Sequence, residues 1–83
     1  MKTIENQVCE IIARAVMIPP SEVKPHATLS TLGVTSLDQV ECVLAIEESF
    51  QIEIDQSTLW QLRTVQDVIN AVNNARAASA RSQ

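Results

Sequence analysis

Few residues in this 83-residue chain could do chemistry, and the most conspicuous is a serine set three positions behind the only glycine. It lies in Leu32-Gly33-Val34-Thr35-Ser36-Leu37-Asp38, where the longest amphipathic segment begins. Glycine turns the backbone without a Cβ penalty, and a Ser or Thr at a helix start accepts a hydrogen bond from an unpaired first-turn amide. The run therefore displays a hydroxyl at a helix N-terminus, where amides and helix dipole also favour a phosphate. On this ground alone Ser36 is either only a helix cap or a hydroxyl displayed where a phosphate would be accommodated.

Nucleophilic catalysis by Ser36 would need a base in hydrogen-bond reach and a group that orients the base. His26, the only histidine, stands in a Pro-rich stretch with nothing that places it beside Ser36, and GxSxG is absent. Cys9 and Cys42 do not form a CxxC pair and fall within helical patterns, so they read as small buried hydrophobes rather than a disulfide or zinc site. Glu47 and Glu48 lack a pocket that would shift their titration and read as surface charge. Calcium-loop and zinc spacings are both missing. No catalytic residue and no metal is expected.

The elements that position these residues follow from composition and period. A chain this short buries roughly 60% of its unfolded surface, enough for one core but not for a large closed active site. With 46% hydrophobic residues it is globular, and no apolar run approaches the roughly 20 residues of a membrane span. The start MKTIENQ lacks the apolar core of a signal peptide, so a cytoplasmic monomer without membrane insertion is expected. The net charge of −4 conceals a division: residues 25–62 hold Asp38, Glu41, Glu47, Glu48, Glu53 and Asp55 and no Lys or Arg. Such a field repels nucleic acid and steers basic protein surfaces toward the middle of the chain. Phe50 and Trp60, the only aromatics, offer no base-stacking platform.

Ile4, Val8, Ile11, Ile12 and Ala15 recur at helical spacing and predict a helix over residues 3–16, stopped by Pro19 and Pro20. Residues 19–35 read as a long loop pinned by Val23, Leu29 and Leu32, either functional or hiding a short helical turn. Residues 36–50 form the second helix. At about 100° per residue, Cys42, Val43, Ile46 and Phe50 share a core arc, whereas Leu37, Val40 and Leu44 fall elsewhere and interleave with Glu41, Glu47 and Glu48. That second face is either a broadened core or a partner surface of apolar anchors in an acidic rim. Ile52 and Ile54 lie in an extended linker. Asp55 or Ser57 caps a short helix holding Leu59, Trp60 and Leu62, and Thr64 with Asp67 resembles a capping box before a helix whose inward stripe is Val65, Val68, Ile69 and Val72. The period fades beyond Val72, giving a domain over residues 1–75 and a frayed tail over 76–83. The expected fold is all-α: a small bundle of three principal helices plus one short helix, with the long loop between helices one and two.

The run LGVTSLDQVECVLAIEESFQIEI resembles the signature of the acyl carrier protein family, a Leu-Gly-hydrophobic-Asp-Ser-Leu motif before an acidic second helix. The likeness spans the domain through TVQDVINAV of the last helix. It implies a carrier rather than an enzyme, with 4′-phosphopantetheine joined to Ser36 by a phosphopantetheinyl transferase that uses coenzyme A. The arm's thiol would hold acyl or aminoacyl groups as thioesters. Leu37, Asp38, Val40, Glu41, Leu44, Glu47 and Glu48 would face the transferase, a loading ligase, and downstream acyltransferases or synthases. An acyl chain could shelter in an interior lined by residues such as Val43, Ile46, Phe50 and Leu62. One departure stands out: Thr35 occupies the position where the family usually has Asp. The cap survives but the charge is lost, which favours a specialised stand-alone carrier with an aminoacyl cargo as an open alternative. The competing reading is an unmodified carrier-like subunit that docks through its acidic helix.

Overall fold

The computed structural model describes residues 3–81, with side chains for residues 3–78. Its elements are α1 (Ile4–Val16), a 3-10 turn (Pro20–Glu22), α2 (Ser36–Phe50), α3 (Gln56–Gln61) and α4 (Val65–Arg81). This is the expected small all-α bundle, and of the two readings of the long loop the structure shows the short helical turn. Val8 and Ile12 of α1, Ile46 of α2, and Val65, Ile69 and Val72 of α4 are fully buried where α1 packs against both α2 and α4. Each contributes roughly 1.5–3 kcal/mol of apolar burial. No polar or charged side chain is buried among the described residues.

The helix ends differ from the sequence expectation in instructive ways. Thr3 caps α1 by accepting from Asn6 N at 3.1 Å, but the prolines are not what stops it. The chain turns left-handed at Met17 (φ 58°), and the amides of Met17 and Ile18 both bond to Ala13 O. Pro20 instead opens the 3-10 turn, where its missing N–H costs nothing. On the inner face of α1 it is Ala13 that is buried while Ala15 is exposed, because packing against two helices tilts the buried arc toward Ala13. A second left-handed residue, Gln51 (φ 58°), ends α2, and Ile52 N bonds back to Glu47 O at 3.1 Å.

The long loop is tied down by backbone as well as by Val23 and Leu29. Leu29 N donates to Arg63 O (2.8 Å), Val65 N to Ala27 O (3.0 Å) and Gln66 N to Pro25 O (2.8 Å), around an isolated antiparallel bridge between Thr28 and Thr64. Asp55 caps α3 by accepting from Thr58 N at 2.9 Å. At the start of α4 the capping box is complete: Asp67 N donates to Thr64 Oγ1 at 3.1 Å, and Asp67 Oδ2 accepts from the amides of Thr64 and Arg63. These bonds, the Arg63 amide foremost, hold the Asp67 carboxyl below the usual carboxylate range. Beyond residue 75 the chain does not depart from the helix, which runs on to Arg81; Ala75, Ala77 and Ala78 sustain it by propensity after the apolar stripe ends. Ser82 and Gln83, the end of the expected tail, lie outside the described residues.

Candidate functional site

The start of α2 is assembled from a turn, a cap and a free hydroxyl. Gly33 adopts φ +90°, with its amide on Ser30 O (3.0 Å) and that of Val34 on Leu29 O (2.9 Å). A Cβ at Gly33 would meet nothing within 4 Å, so conformation rather than space requires glycine. Thr35 is the cap: its Oγ1 accepts from Asp38 N at 3.1 Å while Asp38 Oδ2 accepts from Thr35 N at 3.2 Å. Ser36 is therefore the first helical residue and not the cap. It is exposed, and no hydrogen bond joins it to His26 or any other side chain among the described residues. The amides of Ser36 and Leu37 likewise lack acceptors there, as first-turn amides do unless a side chain or an anion serves them.

The residues expected to face partners divide into two groups. Leu37 and Leu44 are 69% and 58% exposed, with Glu41 and Glu48 exposed around them. Val40 instead lies half-buried against the core. Asp38 is committed to the capping box, and Glu47 Oε2 accepts from Ile54 N at 2.7 Å, tying the linker after α2 to the helix. Trp60, 56% exposed, adds an apolar surface on α3, between the buried Leu59 and Leu62.

Between the helices a small, largely closed cavity amounts to about 10 Å³. Val43, Ile46 and Leu62 line it, but Phe50 does not; Phe50 packs partly buried at the far end of α2. Cys42 also borders the cavity, and burial pushes its thiol up to about 11, which leaves it a poor nucleophile. The sequence reading passed over Gln39. Its Nε2 donates to Leu59 O at 2.6 Å and to Leu62 O at 3.4 Å, the carbonyls at the end of α3. The signal was available, since Gln39 falls in the middle of the core arc of α2, where an amide needs a partner.

Among the described residues no cluster of His, Cys, Asp or Glu could hold a metal ion, and no helix is long and apolar enough to cross a membrane. The family pattern described as "Phosphopantetheine attachment site" matches residues 6–72. An acyl carrier protein of Thermosynechococcus vestitus is 40% identical over 76 residues, covering 90% of this chain and 94% of that one. In fold the chain is similar to the crystal structure of an acyl carrier protein from Thermotoga maritima, with a TM-score of 0.77 over 87% of this chain and 85% of the other, at 24% identity. A carrier needs a displayed hydroxyl and no base, and the pattern, the relative and the geometry agree that the chain belongs to the acyl carrier protein family, bearing covalent phosphopantetheine and working with a phosphopantetheinyl transferase and acyl-handling enzymes rather than catalysing a reaction itself.

Proposed function

We propose that Ser36 carries the 4′-phosphopantetheine, through a phosphodiester made from coenzyme A, and that the cargo is an acyl or aminoacyl thioester. One observation carries this reading: the Ser36 hydroxyl is exposed and unbonded at the first position of α2, between the capping Thr35 and two amides without acceptors. The site fits a phosphodiester. The free amides and the helix dipole favour its charge, and the Asp38 carboxylate, two residues on, is held in the capping box. When bound, the arm supplies the thiol on which the thioester is formed; Ser36 is a tether and needs no activation.

The exposed Leu37, Glu41, Leu44 and Glu48 form the docking face for the transferase, a loading ligase and downstream acyltransferases or synthases, while Asp38, Val40 and Glu47 hold that face in place. Apolar anchors in a charged rim suit a basic, partly apolar partner, whose approach is steered at low salt and screened over about 8 Å at physiological ionic strength. Two free thiols fit a reducing, cytoplasmic setting. The test is intact mass after incubating apo protein with coenzyme A and a broad-specificity transferase. The wild type gains one phosphopantetheinyl group and Ser36→Ala gains none; a gain that persists in Ser36→Ala, or no gain with several transferases, refutes the assignment.

A further inference from the structure

We infer that Arg63 is the counter-ion of the arm's phosphodiester, and so a positioning residue for the arm where it leaves the protein. The inference rests on attachment of the arm at Ser36. Residues 25–62 contain no Lys or Arg, so a cation for that site has to come from another part of the chain. Arg14, Lys24, Arg63 and Arg76 are the cations whose side chains are described, and all but Arg63 lie elsewhere. Lys24 borders a groove with Thr3 and Asn6 at the start of α1. Arg76 follows Ala75, which lies against Glu47 and Gln51 at the far end of α2. Arg14 borders Glu41, Cys42 and Ala45. At about 100° per residue, that flank of α2 is turned roughly 120–180° from Ser36.

Arg63 is bracketed by the two segments that flank Ser36. Gln39, about 60° from Ser36 around α2, donates from Nε2 to Leu62 O at 3.4 Å, which holds the residue before Arg63 about one turn past the serine. From the other direction Val34 N bonds to Leu29 O at 2.9 Å and Leu29 N to Arg63 O at 2.8 Å, a relay that ends two residues before the serine. The backbone of residue 63 is thus fixed beside the start of α2 while its side chain is exposed. No ion pair joins the guanidinium to a carboxylate among the described residues. Asp67, the nearest carboxylate in sequence, takes the amides of Arg63 and Thr64, and the Arg63 charge is the last of the causes that hold it low. Asp38 is engaged by the Thr35 amide, and Thr35 itself adds no charge beside Ser36. Ser36 and Leu37 offer a monoanionic phosphodiester their free amides, and Arg63 adds a planar donor that suits two of its oxygens. Such an exposed pair stabilises little and is screened by salt; its effect is to lean the root of the arm toward the α3–α4 junction and away from Glu41 and Glu48.

The arm itself serves as one leg of a double-mutant cycle. Apo and holo forms of wild type, Arg63→Gln, Arg63→Lys and Arg14→Gln are unfolded in urea at low salt, and intact mass establishes that each holo form carries one arm and that Ser36→Ala takes none. Arg63→Gln lowers the urea midpoint of the holo form by about 0.5 M more than that of the apo form, whereas a merely structural role would lower both alike. Arg63→Lys keeps the charge without the planar fork and shows only part of that difference, Arg14→Gln shows none, and in about 1 M salt the difference closes. The phosphorus resonance of the holo proteins reports the same contact without unfolding. Arg63→Gln moves it toward its position in the urea-unfolded holo chain, and Arg14→Gln leaves it in place. Equal losses in apo and holo Arg63→Gln, an equal difference in Arg14→Gln, or a phosphorus resonance indifferent to Arg63 overturns the counter-ion and leaves the attachment standing. An arm found elsewhere than on Ser36 overturns the attachment reading, and the counter-ion with it.

Discussion

Thr35 separates two things that an aspartate at the same place would combine, the cap and a charge. Replacing Thr35 by Ala removes the acceptor for Asp38 N but leaves the reciprocal bond from the residue-35 amide to Asp38 Oδ2. Loss of such a cap costs about 1 kcal/mol, within a range of roughly 0.5–2. On a domain of this size ~1 kcal/mol lowers Tm by about 4–8 °C. With m near ~1 kcal/mol/M it moves the urea midpoint by up to ~1 M. Thr35→Asp keeps an oxygen where Asp38 N needs it. The added charge gains about 0.3–1 kcal/mol from the helix dipole. Against that stands repulsion from Asp38, about 1 kcal/mol for charges ~4 Å apart in bulk water. These nearly cancel, so Thr35→Asp should stay within about 0.5 kcal/mol of the wild type. Urea titrations followed by circular dichroism at 25 °C measure both variants. An unshifted Thr35→Ala, or a Thr35→Asp that falls as far as Thr35→Ala, refutes the view that the box sets the start of α2. Modification rates of the same proteins then report the charge alone: Thr35→Asp changes the transferase rate without changing stability.

Three further outcomes are expected. Met17 and Gln51 both sit at φ 58°, so Met17→Gly and Gln51→Gly should each raise stability by about 1 kcal/mol, read as a higher urea midpoint; a loss at either would show that its side chain, not its backbone, closes the helix. The Asp67 carboxyl is held low by the amides of Arg63 and Thr64, so the unfolded chain takes up its proton first as pH falls. The advantage of wild type over Asp67→Asn should therefore be full above about pH 4, the ordinary carboxyl value, and vanish as pH drops through the lower folded value; a constant gap across that window contradicts the assignment. Because burial holds the Cys42 thiol near 11 against an ordinary 9.0, iodoacetamide labelling of Cys42 in a Cys9→Ser background should quicken about a hundredfold on unfolding at pH 8, and equal rates would show that Cys42 is accessible in the folded protein.

What the sequence discloses is local. Gly33, the Thr35 cap and the wheel of α2 are properties of neighbouring residues, and they place the start of the helix and set Leu37 and Leu44 off the core arc without knowledge of the rest; only the packed bundle shows that these two are exposed while Val40 is half-buried. The Thr64–Asp67 box is legible for the same reason, with Asp serving where Glu or Gln is usual. Met17 and Gln51 escape notice because a left-handed turn without glycine leaves no compositional mark, and the two prolines offer a simpler stop that the chain does not use. Glu47 reads as a rim charge until the linker folds back and brings Ile54 N to it. Gln39 needs α3 beside it before its amide has meaning. The contribution of Ala13 over Ala15 depends on α1 touching two helices at once.

The ties between residues 25–29 and 63–66 also set an order of events during synthesis. The bonds that fix residues 25–29, from which the Gly33 turn springs, come from residues on the far side of α2 and α3 in the chain, and closing so long a loop yields nothing until both ends exist. While the chain emerges from the ribosome N-terminus first, α1 and α2 can form as helices, but the segment that aims Ser36 has no counterpart to zip onto until residues 63–66 are out. The serine is therefore presented in its final setting only when nearly the whole domain has been made, and a transferase that reads this setting meets it on finished chains rather than on nascent ones.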